Sequence, residues 1–248
     1  MFVEQRFTVH GEKSMEKMLK IDPHVHSNGV SRCSRLTCEE IIDSKQSRGY
    51  DGAVLTNHCQ AWYYPAEEHK NFVERVIEEY ARGKAYAREK GFRWYLGIEV
   101  SISEPHYADW LLYGVTEEFL RATPCLYLLT QKELFELCEE WGIVLIQAHP
   151  YRQTPCNSLY MHGVERNCAP SDLDKVSLVE GFAKEHGLLV TCGTDYHFTD
   201  NTYFGGILLP ETCETAADMA RYIRETGEVT VFAEEEETVY KTNRFQKR

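Results

Sequence analysis

Residues 21–34 read IDPHVHSNGVSRCS. His24 and His26 stand two residues apart, directly after a short apolar run of Met18, Leu19 and Ile21. Side chains two apart on a strand point to the same side. A strand running roughly from Met18 to Asp22 therefore projects both imidazoles together from its C-terminal end. Two neutral imidazoles on one face form a chelate for a divalent transition metal. Alone the pair is a weak signal, since two turn histidines that bind nothing have the same spacing. Its weight depends on whether other strand ends bring matching ligands.

They do. Asp51–Thr56 is a short buried-type run that ends at Asn57-His58, and Phe92–Val100 carries Glu99. Asp109–Val115 is a further strand, and Ile143–Gln147 runs into Ala148-His149-Pro150. Residues 162–167 form a short strand, and Leu188–Cys192 ends at Gly193-Thr194-Asp195-Tyr196-His197. Phe204–Leu209 and Val229–Phe232 follow. Helical patterns lie between them. Thr37 and Glu40 have capping-box spacing and open a helix that closes near Gly49. Phe72, Val73, Val76, Ile77 and Tyr80 recur at helical spacing within a helix from Pro65 to about Lys90. Thr130 and Glu133 open another, Ser171–His186 is closed by Gly187, and a last helix spans about Glu214 to Glu225.

This alternation predicts a parallel sheet with helical crossovers. A doubly wound open sheet competes, but the glycine-rich phosphate fingerprint is missing after the first strand. In a closed β/α barrel every strand C-terminus converges on one face. His24, His26, His58, Glu99, His149, Asp195 and His197 would then meet. Five histidines and two carboxylates suit more than one ion, and mixed nitrogen and oxygen ligation suits Zn, Mn or Fe.

Composition narrows the function classes. The 248 residues fit one large α/β domain. The net charge of -12 repels nucleic-acid backbones, so long nucleic acids are disfavoured as partners. No apolar run approaches the ~20 residues of a membrane helix. No apolar signal segment opens the chain, and the nine cysteines have no C-x-x-C pairs; both point to reduced thiols and a cytoplasmic location. The expected organisation is an N-terminal extension over 1–19 with a possible strand from Phe2 to Val9, a barrel over 20–233, and a charged tail over 234–248 that frays.

The run HVHS with S-R-C-S-R-L-T-C-E-E-I, followed by DGAVLTNH, resembles the opening of the PHP (polymerase and histidinol phosphatase) family. Glu99 in GIE, His149 in AHP and Asp195/His197 in GTDYH resemble its later motifs, in the same order. The similarity spans roughly residues 20–210. It implies a distorted (β/α)7 TIM-like barrel and a phosphoesterase holding two or three divalent ions. By the same resemblance His24, His26, Glu99 and Asp195 would hold the first ion. His58 and His197 would help hold a second, and Glu99 and His149 a third. The chain departs from the pattern in places. Cys33 stands near a position where the family has an acid or histidine, and Asn57 replaces an aspartate. Asp109 and His106 lie near the place of a further histidine, as possible additional ligands.

Arg152, at a strand end just after His149-Pro150, is the leading candidate to grip phosphate and neutralise charge in the reaction, with Arg32 and Arg35 as alternatives. The reading is a metal-dependent hydrolase of small phosphate monoesters, histidinol-phosphatase-like, in which a metal-bridged hydroxide attacks phosphorus in line. The alternatives are a nucleotide- or nucleic-acid-directed phosphodiesterase or nuclease, and a non-catalytic metal-binding domain.

Overall fold

The first strand changes face halfway along. β1 (Met18–Val25) sets Leu19 and Ile21 in one apolar cluster with Val54, Tyr95 and Leu111, whereas Val25 packs in the other cluster, with Ile41 and Ile42. Between them the register to β2 (Gly52–Leu55) slips, from Asp22 to Val25. Pro23 sits at the slip and has no N–H to give the ladder. The bulge resets the period of two. His24 and His26 take over the inward face, and Asp22 is turned outward beneath α1 (Cys38–Ser47). The strand thus extends to Val25, beyond the predicted end near Asp22.

The computed structural model describes residues 17–157, 159–200, 202–233 and 236–245. After α1 and β2 come β3 (His58–Cys59), α2 (His69–Lys90), β4 (Arg93–Ile102), β5 (Ala108–Tyr113) and α3 (Glu117–Ala122). Then follow α4 (Gln131–Trp141), β6 (Val144–Gln147), β7 (Gly163–Asn167), α5 (Val176–His186) and β8 (Leu189–Gly193). The chain continues through β9 (Gly205–Pro210), α6 (Ala216–Thr226), β10 (Glu228–Ala233) and β11 (Glu236–Lys241). None of these helices is long and apolar enough to cross a membrane. Local chemistry starts and stops them as expected. Thr37 and Thr130 each make the two reciprocal bonds of a capping box, and Gly91 ends α2 in the left-handed region at φ 66°.

The sheet runs β1-β2-β4-β5-β6-β7-β8, with only β5 antiparallel to both neighbours. These strands form a nearly closed barrel in a single α/β domain. β8 meets β1 at its upper end, where Val25 bridges Tyr196 in parallel. There the His26 N–H donates to Tyr196 O at 3.0 Å, and the Tyr196 N–H donates to His24 O at 3.1 Å. The lower half of β1 pairs instead with antiparallel β9, which leads on to β10 and β11. Residues 236–241, expected to fray, form a full strand against β10, which gives every residue of β11 a ladder partner; the consecutive Thr238, Val239 and Tyr240 favour the extended backbone. The possible strand at 2–9 lies outside the described residues.

β4 shows how the interior is filled. Trp94, Leu96, Ile98 and Val100 face the helices, while Tyr95 faces the barrel interior, and Glu99 shares its parity. Ile21, Val54, Tyr95, Leu111, Val144, Ile146 and Leu189 fill the lower interior. Met219, Ala220 and Ile223 of α6 close the bottom. Each fully buried aliphatic side chain contributes roughly 1.5–3 kcal/mol. The lower layers therefore carry the barrel's stability, and the upper layer can be polar.

Candidate metal centre

Glu99 sits at the middle of the upper layer, fully buried. Its Oε2 lies 2.8 Å from His58 Nδ1, 3.4 Å from His26 Nε2 and 3.5 Å from His24 Nε2. Its Oε1 lies 3.1 Å from His149 Nε2. Asp195 faces it from the end of β8, with Oδ1 3.2 Å from His26 Nε2 and 3.4 Å from His24 Nε2. Among the described residues the potential ligand atoms fall into overlapping groups: His24–His26–Glu99, His24–His149–Asp195, His26–His58–His197 and Glu99–Asp109–His149. In each group the atoms lie within 4.8 Å of one another.

Burial alone would keep these groups neutral, yet the two carboxyls are held well below their usual range. For Glu99 burial pushes upward, and the nearby His58 and His24 outweigh it. For Asp195 burial is outweighed by His24 and His26. His24 is raised well above the ordinary imidazole value, because Glu165, Asp195 and Glu99 overcome its burial. His26 is lowered well below it, by burial and by His58 and His197.

Four atoms test whether an ion fits. His24 Nε2, His26 Nε2, His58 Nδ1 and Glu99 Oε2 are buried and have no hydrogen-bond partner. Such orphans are costly, about 1–3 kcal/mol each. Those of His24, His26 and Glu99 fall in one candidate group, and His58 Nδ1 faces the same carboxylate oxygen from a neighbouring group, so cations in the two groups would satisfy all four. The donor set, imidazole with carboxylate, suits a divalent transition ion.

Neighbouring side chains set the tautomers. Glu165 of β7 takes the Nδ1–H of His24 at 2.8 Å through one oxygen and the backbone N–H of His149 at 3.0 Å through the other. One buried carboxylate thus fixes ligands on two strands and leaves His24 Nε2 as a lone pair aimed at the centre. His197 Nδ1 donates to the Asp195 carbonyl at 2.8 Å, which leaves its Nε2 for the centre. His149 and Asp195 hold left-handed backbone, at φ 29° and 51°. That costs of order 1–3 kcal/mol each and is retained where function demands the orientation. Asn57 explains itself: it accepts from the Ser27 N–H and Ser31 Oγ and donates to Ser27 Oγ, which a carboxylate does not do. Glu165→Ala is expected to weaken metal binding about 10–100-fold, with partial recovery in Glu165→Gln. Calorimetric titration of metal into both variants measures it, and wild-type affinity in the alanine variant would remove the positioning role.

All seven residues expected from the strand ends stand in this cluster, and Asp109 joins them through Glu99 and His149. Cys33 reaches it too, with Sγ 3.0 Å from His197 Nε2. Burial pushes its thiol up, but hydrogen bonds with His197 and His58 bring it down to about 6. His106 does not join: it is exposed and lines a groove with Trp110 and Phe182. Arg152 is at the site but already engaged. Its Nη1 donates to Asp195 Oδ2 at 2.6 Å and its Nη2 to Asp172 Oδ2 at 2.5 Å. Glu165, Asp172 and the Asp22–Lys45 pair escaped the sequence reading. For Glu165 a signal exists, since it shares the inward parity of Gly163 and Asn167 in a short strand.

No family model matches the chain, and no curated protein matches it. Solved structures do. A two-domain protein from Bacteroides vulgatus containing a predicted PHP-like metal-dependent phosphoesterase aligns with a TM-score of 0.60 at 14% identity, over 94% of this chain and 70% of that one. PsfC from Pseudomonas syringae aligns at 0.62 and 16%, over 92% and 93%. The lesion-specific endonuclease PfuEndoQ from Pyrococcus furiosus aligns at 0.59 and 14%, over 87% of this chain and 58% of that one. The likeness is one of fold: the chain has the barrel of PHP-like proteins, as its motifs implied.

Proposed function

We propose that the protein is a metal-dependent phosphoesterase acting on small phosphate monoesters. The carrying observation is that four partnerless buried atoms, of His24, His26, His58 and Glu99, lie together in the overlapping ligand groups at the barrel mouth. The described neighbours with phosphoesterase or endonuclease in their names support the reaction class. Ions bound there supply Lewis-acid charge to phosphoryl oxygens and to the attacking water. His24, His26, Glu99 and Asp195 hold the inner position, His58 and His197 the outer one, and Glu99, Asp109 and His149 a third. His24, His26 and Glu99 are fully buried, whereas Asp195, His58 and His197 are partly exposed, so water reaches the centre from the side of these three. Arg152 holds Asp195 in place. Arg32 and Arg35 have no carboxylate partner among the described residues and are the freer cations for phosphate.

Hydrolysis of phosphate monoesters by the metal-loaded chain is expected to stop on chelation and return with Zn, Mn or Fe. Turnover that survives chelation, with metal loss confirmed, would overturn the reading. A diester such as bis(p-nitrophenyl) phosphate, run in parallel, separates the monoesterase from the diesterase suggested by the endonuclease neighbour.

Cys33 is expected to bind the outer ion as a thiolate, a softer ligand than the acid it replaces. Cys33→Ser should then lose metal, and Cys33→Asp should regain at least part of it. Elemental analysis of both variants decides; full metal content in each makes Cys33 a bystander.

A further inference from the structure

Two strands of the barrel wall bring together a pair of sulfurs that the metal chemistry leaves unused. Cys168, one residue past the end of β7, and Cys192, in β8, have their Sγ atoms 2.7 Å apart, one thiol donating to the other. A disulfide bond measures about 2.0 Å, so the pair stands close to covalent distance. The backbone sets this approach: the Cys168 N–H donates to the Gly193 carbonyl at 2.9 Å and extends the β7–β8 ladder. β9 leaves the room, since a Cβ on Gly205 would collide with both sulfurs. Cys59 and Cys125, by contrast, both address the Tyr64 hydroxyl, at 3.1 and 3.6 Å. The two thiols of the close pair differ in access. Cys168 lines a cleft of about 850 Å³ with Arg166, Pro170 and Tyr203, whereas Cys192 is fully buried.

We infer that Cys168 and Cys192 are a redox modification site, which a hydroperoxide converts into a disulfide stapling β7 to β8. The inference is independent of the phosphoesterase reading. Cys168 meets hydrogen peroxide first, from the cleft. Its sulfur bonds to one peroxide oxygen, the O–O bond breaks, and the other oxygen leaves with the thiol proton as water. The Cys192 sulfur then attacks the sulfenic sulfur. An S–S bond forms, the S–O bond breaks, and hydroxide leaves with the Cys192 proton as a second water. In all, two thiols lose two electrons and two protons, and one peroxide becomes two waters. Where thiols are otherwise kept reduced, disulfides are typically transient and redox-sensing. The staple closes the loop that holds α5 and constrains the unfolded chain. It also clamps the strand ends that present Glu165, three residues before Cys168, and Asp195, three after Cys192.

The reduced, metal-loaded chain is treated with hydrogen peroxide, its remaining thiols are blocked with N-ethylmaleimide in denaturant, and it is digested without reduction. The expected product is a peptide pair joined through Cys168 and Cys192, lighter by two hydrogens than its free parts and separated by dithiothreitol. In Cys192→Ala the reaction should stop at the sulfenic acid, so that dimedone labels Cys168 there and far less in the wild type. Peroxide should raise the wild-type Tm by roughly 5–10 °C relative to Cys168→Ala treated alike. Recovery of both cysteines as maleimide adducts overturns the inference, as does either of them joined to a different cysteine, or Cys168 driven to sulfinic acid without the cross-link. A cross-link without the gain in Tm overturns the staple. Mapping of the wild type decides on the site even where a variant does not fold.

Discussion

Glu99→Ala is expected to empty the centre and lower phosphoesterase turnover about 10³-fold or more. Among the described residues no other carboxylate faces so many of the candidate histidine ligands. Its two oxygens face His24, His26, His58 and His149, from strands that never pair with one another in sequence order. Removing it would leave His24, His26 and Asp195 at the inner position and Asp109 with His149 at the third, each one carboxylate short. Metal stoichiometry should fall with activity, because the carboxylate belongs to two of the candidate groups. Elemental analysis beside a phosphate-release assay measures both. An alanine variant with full metal content would mean that the histidines and Asp195 suffice, and Glu99 would then be a buried counter-charge only.

The second large effect is on stability. Lys45 is fully buried, with Nζ 2.5 Å from Asp22 Oδ2, 2.8 Å from Thr194 Oγ1 and 3.9 Å from the centroid of the Tyr196 ring. Burial lowers its pKa and Asp22 raises it, with burial the stronger. Lys45→Met leaves the Asp22 carboxylate buried without its cation. Breaking such a pair costs about 3–5 kcal/mol, or roughly 6–20 °C in Tm for a chain of this size. Adding Asp22→Asn should recover part of the loss. The amide oxygen still accepts from the His24 and Thr194 N–H groups, which the carboxylate now does at 3.2 and 3.1 Å, and no charge is stranded. Thermal denaturation of the single and double variants tests it. A double variant less stable than Lys45→Met alone would show that Asp22 acts through its charge on other groups.

Most of the centre was legible because it obeys strand parity and strand ends. Glu99 lies on the same parity as Tyr95, and His58, His149 and Asp195 close short apolar runs, so the alternation names them without any partner in view. What the sequence hid depends on contacts between distant segments. Glu165 matters through His24, 141 residues away. Lys45 reads as an ordinary helix lysine until Asp22 is found beneath it. The slip at Pro23 decides which residues of β1 face inward, and parity counted through it would turn His24 away from Ile21's face. Arg152 was placed by its strand end, but the two carboxylates that occupy it come from Asp172 and Asp195, which no spacing rule connects. His106 shows the opposite error: proximity in sequence to Asp109 did not carry it to the same face.

The seam of the barrel has one more consequence. β8 and β1 are joined at their upper ends, and those ends also carry Asp195 and His197 on one side and His24 and His26 on the other. Lys45, Asp22 and Thr194 fasten the same joint from outside. An ion held between these ligands acts as a rivet across the closure. Ligands that exist as a set only in the closed barrel make metal uptake and barrel closure one equilibrium, and mass action on the ion becomes a force that keeps the barrel shut.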